Sequence, residues 1–234
     1  MPIFELPDEH IFPNPNDADE SGLLAYGGDL SPRRIVAAYR AGIFPWFEED
    51  SPVVLWWSPN PRMILYSENF KISKTLRQKI RRKTFEIRVD YDFEAVMKAC
   101  ASTFRPDQDG TWITEDMLEA YVDLHRMGLA HSVECWQDGK LVGGLYGISL
   151  GKIFFGESMF HHVTDASKVA FFYLSHFCKE IGFTFIDCQM HTDHLQSLGA
   201  QTMPREEYLN IIAANNNEET LKGSWQELVE TFPY

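Results

Sequence analysis

The chain is 234 residues long, 44% hydrophobic and 24% charged, with a formal net charge of −13 at pH 7. That composition excludes a disordered or low-complexity chain, and the length suits one large domain or two modest ones. No run approaches the ~18 apolar residues of a membrane span, and the acidic, proline-broken stretch 1–10 is the reverse of a secretory signal, so the cytosol is the expected compartment.

Residues 1–30 read as loop-rich, broken by Pro7, Pro13, Pro15 and the turn Gly27-Gly28-Asp29. Ser31 before Pro32 has the form of a helix cap, with Ile35, Val36, Ala38 and Tyr39 as the apolar face and Gly42 as the stop. Ile43-Phe44-Pro45-Trp46-Phe47 reads as a rigid aromatic loop, and 53–57 and 63–66 as short buried strands around the turn prolines Pro59 and Pro61. Residues 72–82 predict a helix with Ile72, Leu76 and Ile80 as its buried stripe. A strand at 85–89, a helix at 93–100 and a loop follow, and Thr114 then caps a helix that ends at Gly128. Strands at 132–136 and 141–148 are joined across Asp138-Gly139, a hairpin signal, and a third strand spans 153–160. A helix from Thr164 or Asp165 runs to Gly182, a strand covers 183–190, and short helices begin at Asp193 and Pro204. In the polar tail, Trp225, Leu228 and Phe232 are expected to pack back.

Two of these strands carry polar groups amid aromatics. Alternation places Asp187 and Gln189 on one face with Phe183 and Phe185, and places Glu157 with Ile153, Phe155 and Met159. Buried carboxylates and amides need partners or a ligand, so two such strands point to one pocket approached from both sides, unless both sets are satisfied internally. Cys100, Cys135, Cys178 and Cys188 are scattered in apolar surroundings without paired spacing, which favours reduced thiols over zinc or disulfides. His191 and His194 flank Asp193, but no third and fourth metal ligand stands at a usual spacing. Between residues 71 and 88 there are eight basic side chains against one acidic, on an otherwise acidic chain. Such a segment is either a solvated helix face or a local seat for a phosphate backbone.

The order strand–strand–strand–helix–strand–helix over about 131–213 is α+β, with a mostly antiparallel sheet, and matches the core of the GNAT (acyl-CoA N-acyltransferase-like) fold. More specific are long words in order: 22–31, Gly42-Ile43-Phe44-Pro45-Trp46-Phe47, Trp56-Trp57-Ser58-Pro59, Gly110-Thr111-Trp112-Ile113-Thr114 and 142–147. They continue with Gly156-Glu157-Ser158-Met159-Phe160, 166–168, Ile186-Asp187-Cys188-Gln189, and His194 with 197–200. On these the chain resembles the leucyl/phenylalanyl-tRNA–protein transferases from about residue 21 to 210. The departures are Leu145 where methionine also occurs, His191-Thr192 before Asp193, and a divergent tail.

The resemblance implies a small N-terminal α/β domain at 1–62 packed on a GNAT-like catalytic domain at 63–234, acting as a monomer without cofactor, metal or membrane. The implied reaction moves Leu or Phe, and less well Met, from aminoacyl-tRNA to the α-amino group of proteins that begin with Arg or Lys, producing an N-degron. The family match makes Asp187 and Gln189 catalytic, with Gln189 taking the hydrogen bond of the attacking amine and Asp187 orienting its amide, and makes Glu157 the acceptor-recognition group. Leu145, Met159, Ser167, Phe171 and Ile186 are the implied side-chain pocket, and Tyr39, Trp46, Trp112 and Tyr121 the implied seat of the 3′-adenosine. Lys71, Lys74, Arg77, Lys79, Arg81, Arg82 and Lys83 become the acceptor-stem cradle. Two rivals remain. A CoA-dependent N-acyltransferase needs a pyrophosphate-binding word where His161-His162-Val163-Thr164-Asp165-Ala166 stands, and a non-catalytic reader of basic N-termini leaves the tryptophans and the basic helix without a task.

Overall fold

The computed structural model describes residues 3–48, 51–103 and 111–226; Gly110 and the tail positions Leu228 and Phe232 lie outside them. The first part of the chain supplies β1 (Phe4–Glu5), β2 (Leu23–Tyr26), α1 (Pro32–Arg40), β3 (Phe44–Pro45), β4 (Leu55–Trp57) and β5 (Arg62–Leu65). The middle supplies α2 (Lys74–Arg81), β6 (Glu86–Val89), α3 (Phe93–Ser102), α4 (Glu115–Arg126), β7 (Ala130–Gln137), β8 (Lys140–Leu150) and β9 (Ile153–His161). Then come α5 (Ala166–Glu180), β10 (Phe185–Gln189), α6 (Asp193–Ser197), β11 (Gln201–Met203) and α7 (Arg205–Asn215). The architecture is mixed α+β, and none of these helices is long and apolar enough to cross a membrane.

Local chemistry explains most boundaries. Ser31 Oγ accepts the Arg34 amide, Ser73 Oγ the Leu76 amide and Thr114 Oγ1 the Met117 amide, each satisfying one orphan donor of a first turn. Strands β1 and β2 fall inside the stretch expected to be loop, β3 inside the expected aromatic loop, and β11 was not foreseen. Each is two to four residues long and paired to a distant segment, so no local period marks it.

Four short strands pair in the order β1-β2-β4-β3 over a small core of Leu24, Ala25, Ala38, Ile43 and Trp56. Seven form the larger sheet, β11-β5-β10-β9-β8-β7-β6, in which every pair is antiparallel except β9 and β10. One face packs on α3, α4 and α7 through residues such as Val96, Leu124, Phe155 and Ile212; the other packs on α5 and α2 through Phe154, Leu174 and Leu76.

A bulge in the middle of this sheet prepares the site. Tyr146 pairs with Ser158 but Gly147 pairs with Gly156, so Glu157 is an extra residue on β9. The insertion corrects the expected alternation: Ile153 and Phe155 stay with the α3/α4 core, whereas Met159 crosses to the α5 side and Phe160 replaces it. The partner residue must be bare, because a Cβ on Gly147 would lie 2.1 Å from the Phe155 carbonyl oxygen. Gly147→Ala is therefore expected to cost about 1–3 kcal/mol, read as a lower urea midpoint at unchanged slope, because backbone rather than a flexible side chain must move.

Candidate active site

The site follows from where two parallel strands part. β10 pairs with β9 only over Phe185, Ile186 and Asp187, opposite Ile153, Phe154 and Phe155; beyond that, β9 continues on β8 alone while β10 stays with β5. Between them lies a cavity of about 490 Å³, within the range of small-molecule sites. Leu145, Met159, Phe171, Leu174 and Ile186 form its apolar wall, Cys188 and Trp112 extend it, and its polar points include Ser167, Glu157 and His194, with Ser158, His161 and Thr192 also on the lining. All five residues expected to form a side-chain pocket thus line one space. Trp112 joins them; Trp46 does not, being packed edge-on to Trp57 at 5.4 Å with its carbonyl accepting the Trp57 indole N–H.

At one end of the cavity Glu157 is held by three donors. Oε1 accepts from the Tyr39 hydroxyl and from Gln189 Nε2 at 3.1 Å, and Oε2 accepts from the Tyr121 hydroxyl at 3.1 Å; the two tyrosine oxygens are 2.9 Å apart. Both tyrosines are fully buried, standing behind Glu157 rather than on the cavity wall. Burial pushes the Glu157 carboxyl up to about 7, with the two tyrosine hydroxyls opposing that rise and the Asp187 charge adding to it. Near neutral pH this group therefore gives up or takes a proton easily.

Asp187 sits in a different environment. It is buried and forked onto Arg62, with Nε 2.9 Å from Oδ1 and Nη2 2.7 Å from Oδ2, and Tyr208 donates its hydroxyl to Oδ2 at 2.7 Å. The Arg62 guanidinium lies between the Phe44 and Tyr208 rings, 4.6 and 4.8 Å from their centroids. Burial pulls its pKa down and Asp187 pulls it up, and the net direction is up. Asp187 Oδ1 also accepts the backbone N–H of Gln189 at 2.8 Å, and Gln189 has a left-handed backbone, φ 60°. The expected contact between Asp187 and the Gln189 carboxamide is thus corrected. Asp187 holds the main chain, and the carboxamide reaches Glu157 instead, because the register slips between Asp187 and Gln189 on β5.

The basic segment is mostly exposed. Lys71, Lys74, Arg77, Arg81, Arg82 and Lys83 face solvent, whereas Lys79 is half-buried, paired with Asp165 at 3.3 Å and bonded to the Thr164 carbonyl. His191 contacts Gln196, His194 lines the cavity with its pKa lowered by burial, and the described residues contain no cluster able to hold a metal ion. None of the four cysteines is in a disulfide. Arg62 and Tyr208 are what the sequence reading missed as site residues. The available signal was a single arginine opening the apolar run Met63-Ile64-Leu65, which a buried strand tolerates only beside an opposite charge.

Comparison with known proteins agrees along the chain. Residues 64–213 match the family described as leucyl/phenylalanyl-tRNA protein transferase, and residues 28–60 match the N-terminal domain described for the same proteins. A leucyl/phenylalanyl-tRNA–protein transferase of Solidesulfovibrio magneticus is 52% identical over 96% of this chain and 91% of its own length. Its counterpart in Syntrophus aciditrophicus is 50% identical over 99% and 96%. Among solved structures, L-PGS from Bacillus licheniformis is similar only at a distance, with a TM-score of 0.39 and 12% identity over 74% of this chain and 57% of that one.

Proposed function

Because the chain belongs to the leucyl/phenylalanyl-tRNA–protein transferase family, and is an aminoacyltransferase, we propose that it moves Leu or Phe, and less readily Met, from aminoacyl-tRNA to the α-amino group of proteins beginning with Arg or Lys. The product carries a degradation signal at its new N-terminus. The observation that supports this reading best is an apolar cavity ending on a carboxylate and a carboxamide, Glu157 and Gln189. We also assign residues 1–62 to a small N-terminal domain and 63–234 to a GNAT-like catalytic domain, acting as a cytosolic monomer.

An aminoacyl ester is already activated, so transfer needs neither an enzyme nucleophile nor a metal. The amine nitrogen attacks the ester carbonyl, a tetrahedral oxyanion forms, the bond to the ribose oxygen breaks, and the proton lost by the amine ends on that oxygen. The protein's work is placement. With Gln189 Nε2 given to Glu157, its carbonyl oxygen is left to accept from the attacking amine, and Asp187 acts behind it through the main chain. Leu145, Met159, Phe171 and Ile186 take the donor side chain, with Ser167 at the rim. Polar side chains are rejected because nothing on that wall would satisfy them. Trp112, on the cavity lining, stacks on the 3′-adenosine, Trp46 acts only by packing on Trp57, and Tyr39 and Tyr121 act by holding Glu157. The Glu157 charge selects a basic N-terminal side chain, and the residues from Lys71 to Lys83 hold acceptor-stem phosphates.

The test is transfer of radiolabelled Phe from Phe-tRNA to an Arg-starting peptide by the full chain; no transfer would end the proposal. In the same assay the advantage of an Arg-starting over a norleucine-starting peptide should grow with pH, because Glu157 gains its charge as pH rises through about 7. That ratio should increase up to about tenfold between about pH 6 and 8, tracking the ionised fraction. Glu157→Gln should lower the ratio and flatten its pH dependence; an unchanged ratio would remove Glu157 from acceptor selection.

Reversing Lys74, Arg77 and Arg81 to Glu should weaken aminoacyl-tRNA binding and flatten its salt dependence by roughly 0.7–0.9 per lost phosphate contact. Aminoacyl-adenosine, which lacks the stem, should be used as before. Equal loss with both donors would place the segment in the fold rather than on the tRNA.

A further inference from the structure

We propose that Arg62 is a positioning residue for the transfer: through Asp187 it fixes the left-handed turn at Gln189 that presents the carboxamide to the reacting amine. The proposal rests on the role given to Gln189 above and adds what holds that side chain in place.

Gln189 is not held there by its own preference. A side chain with φ near 60° crowds its Cβ against the following carbonyl, and the conformation persists where surrounding contacts over-determine it. Here the determining contact is the hydrogen bond from Gln189 N to Asp187 Oδ1, 2.8 Å long. The direction of that oxygen depends on the carboxylate plane, and three groups set the plane: the Arg62 fork on both oxygens, the Tyr208 hydroxyl on Oδ2, and the strand backbone that carries Asp187. The fork is itself immobilised between the Phe44 and Tyr208 rings, so β3, β5, α7 and β10 meet at one guanidinium.

Stability alone is a poor account of this arrangement. A buried ion pair contributes little beyond well-packed apolar side chains of equal volume, and this one leaves Arg62 Nη1 buried without a hydrogen-bond partner. What the pair does supply is direction, because a planar fork fixes the rotation of a carboxylate and a point charge does not. Lysine at position 62 keeps the charge and loses the plane. Asp187 can then turn about its last bond, the Gln189 amide loses its acceptor, and the carboxamide drifts from Glu157.

The experiment is a double-mutant cycle in kcat on the full chain, with Phe-tRNA and an Arg-starting peptide, using Arg62→Lys, Gln189→Ala and the pair. Arg62→Lys alone should lower kcat about tenfold or more with both KM values within about twofold, since placement and not binding is lost. In the Gln189→Ala background the same substitution should cost less than about twofold, because the group it positions is gone. Equal losses in both backgrounds, the behaviour of a merely structural residue, would overturn the proposal. If Gln189→Ala itself has wild-type kcat, the role of Gln189 fails and this proposal with it, an outcome distinct from additivity. Should circular dichroism show Arg62→Lys unfolded, Tyr208→Phe replaces it in the cycle, as it deletes only one hydroxyl on Asp187. The expected result is then about a threefold loss of kcat that disappears without Gln189, and a loss that persists there would overturn the proposal.

Discussion

A guanidinium and a carboxylate removed from water, Arg62 and Asp187, fix the relation between the parts of this molecule. Each is almost wholly buried, and taking either away would strand the other at a cost of about 3–5 kcal/mol. The pair therefore forces Phe44 of the small sheet, Tyr208 of α7 and the end of β10 to be in place together. The cavity opens beside the same junction. β10 stays with β5 after Asp187, β9 goes on with β8, and the space between them is left to a ligand.

Glu157 is the opposite kind of carboxylate. Its donors are two hydroxyls and an amide, none of them charged, so burial outweighs them and the proton is held to about pH 7. The geometry adapts to both states. Ionised, Glu157 takes both tyrosine protons, and the 2.9 Å contact between the two hydroxyl oxygens carries none; protonated, it releases one hydroxyl to bond the other. Two carboxylates on neighbouring strands thus differ in kind: one is locked by a permanent cation, and the other, with uncharged donors only, keeps its proton up to about pH 7.

The residues that were legible in the sequence are those whose signal is local. The caps Ser31 and Thr114, the Asp138-Gly139 hairpin and the apolar helix over residues 166–180 stand where turn chemistry and periodicity put them. Leu145, Met159, Phe171 and Ile186 could be grouped because matching words carried them, and they do share one cavity. What escaped depends on register. The extra residue at Glu157 sends Met159 to the other face of the sheet, and the slip after Asp187 gives its carboxylate to the main chain of Gln189. Neither shift leaves a mark in a period of two, because the strands on both sides of it alternate normally. Arg62 escaped for a related reason: its partner is 125 positions away, and charge complementarity across that distance has no local pattern.

Charge on the surface is organised on a longer scale. A chain with a net charge of −13 repels a phosphate backbone in general, yet screening reduces that repulsion beyond roughly 8 Å at physiological salt, so the groups in contact decide. On α2 those groups are cationic, and besides the buried Leu76 the helix is held by Lys79, which reaches the Thr164 carbonyl and Asp165; Asp165 also takes Lys168 from the first turn of α5. Helix α5 carries Ser167 and Phe171 into the cavity wall. Under the proposed function, the distance from the stem's phosphates to the aminoacyl pocket is then set by the packing of α2 on α5, the Lys79–Asp165 contact included. A stem seated on α2 delivers its 3′ end to the apolar wall only if that spacing matches. On that proposal, selection by geometry would let several leucine and phenylalanine acceptors serve one site without contacts that read bases of the stem.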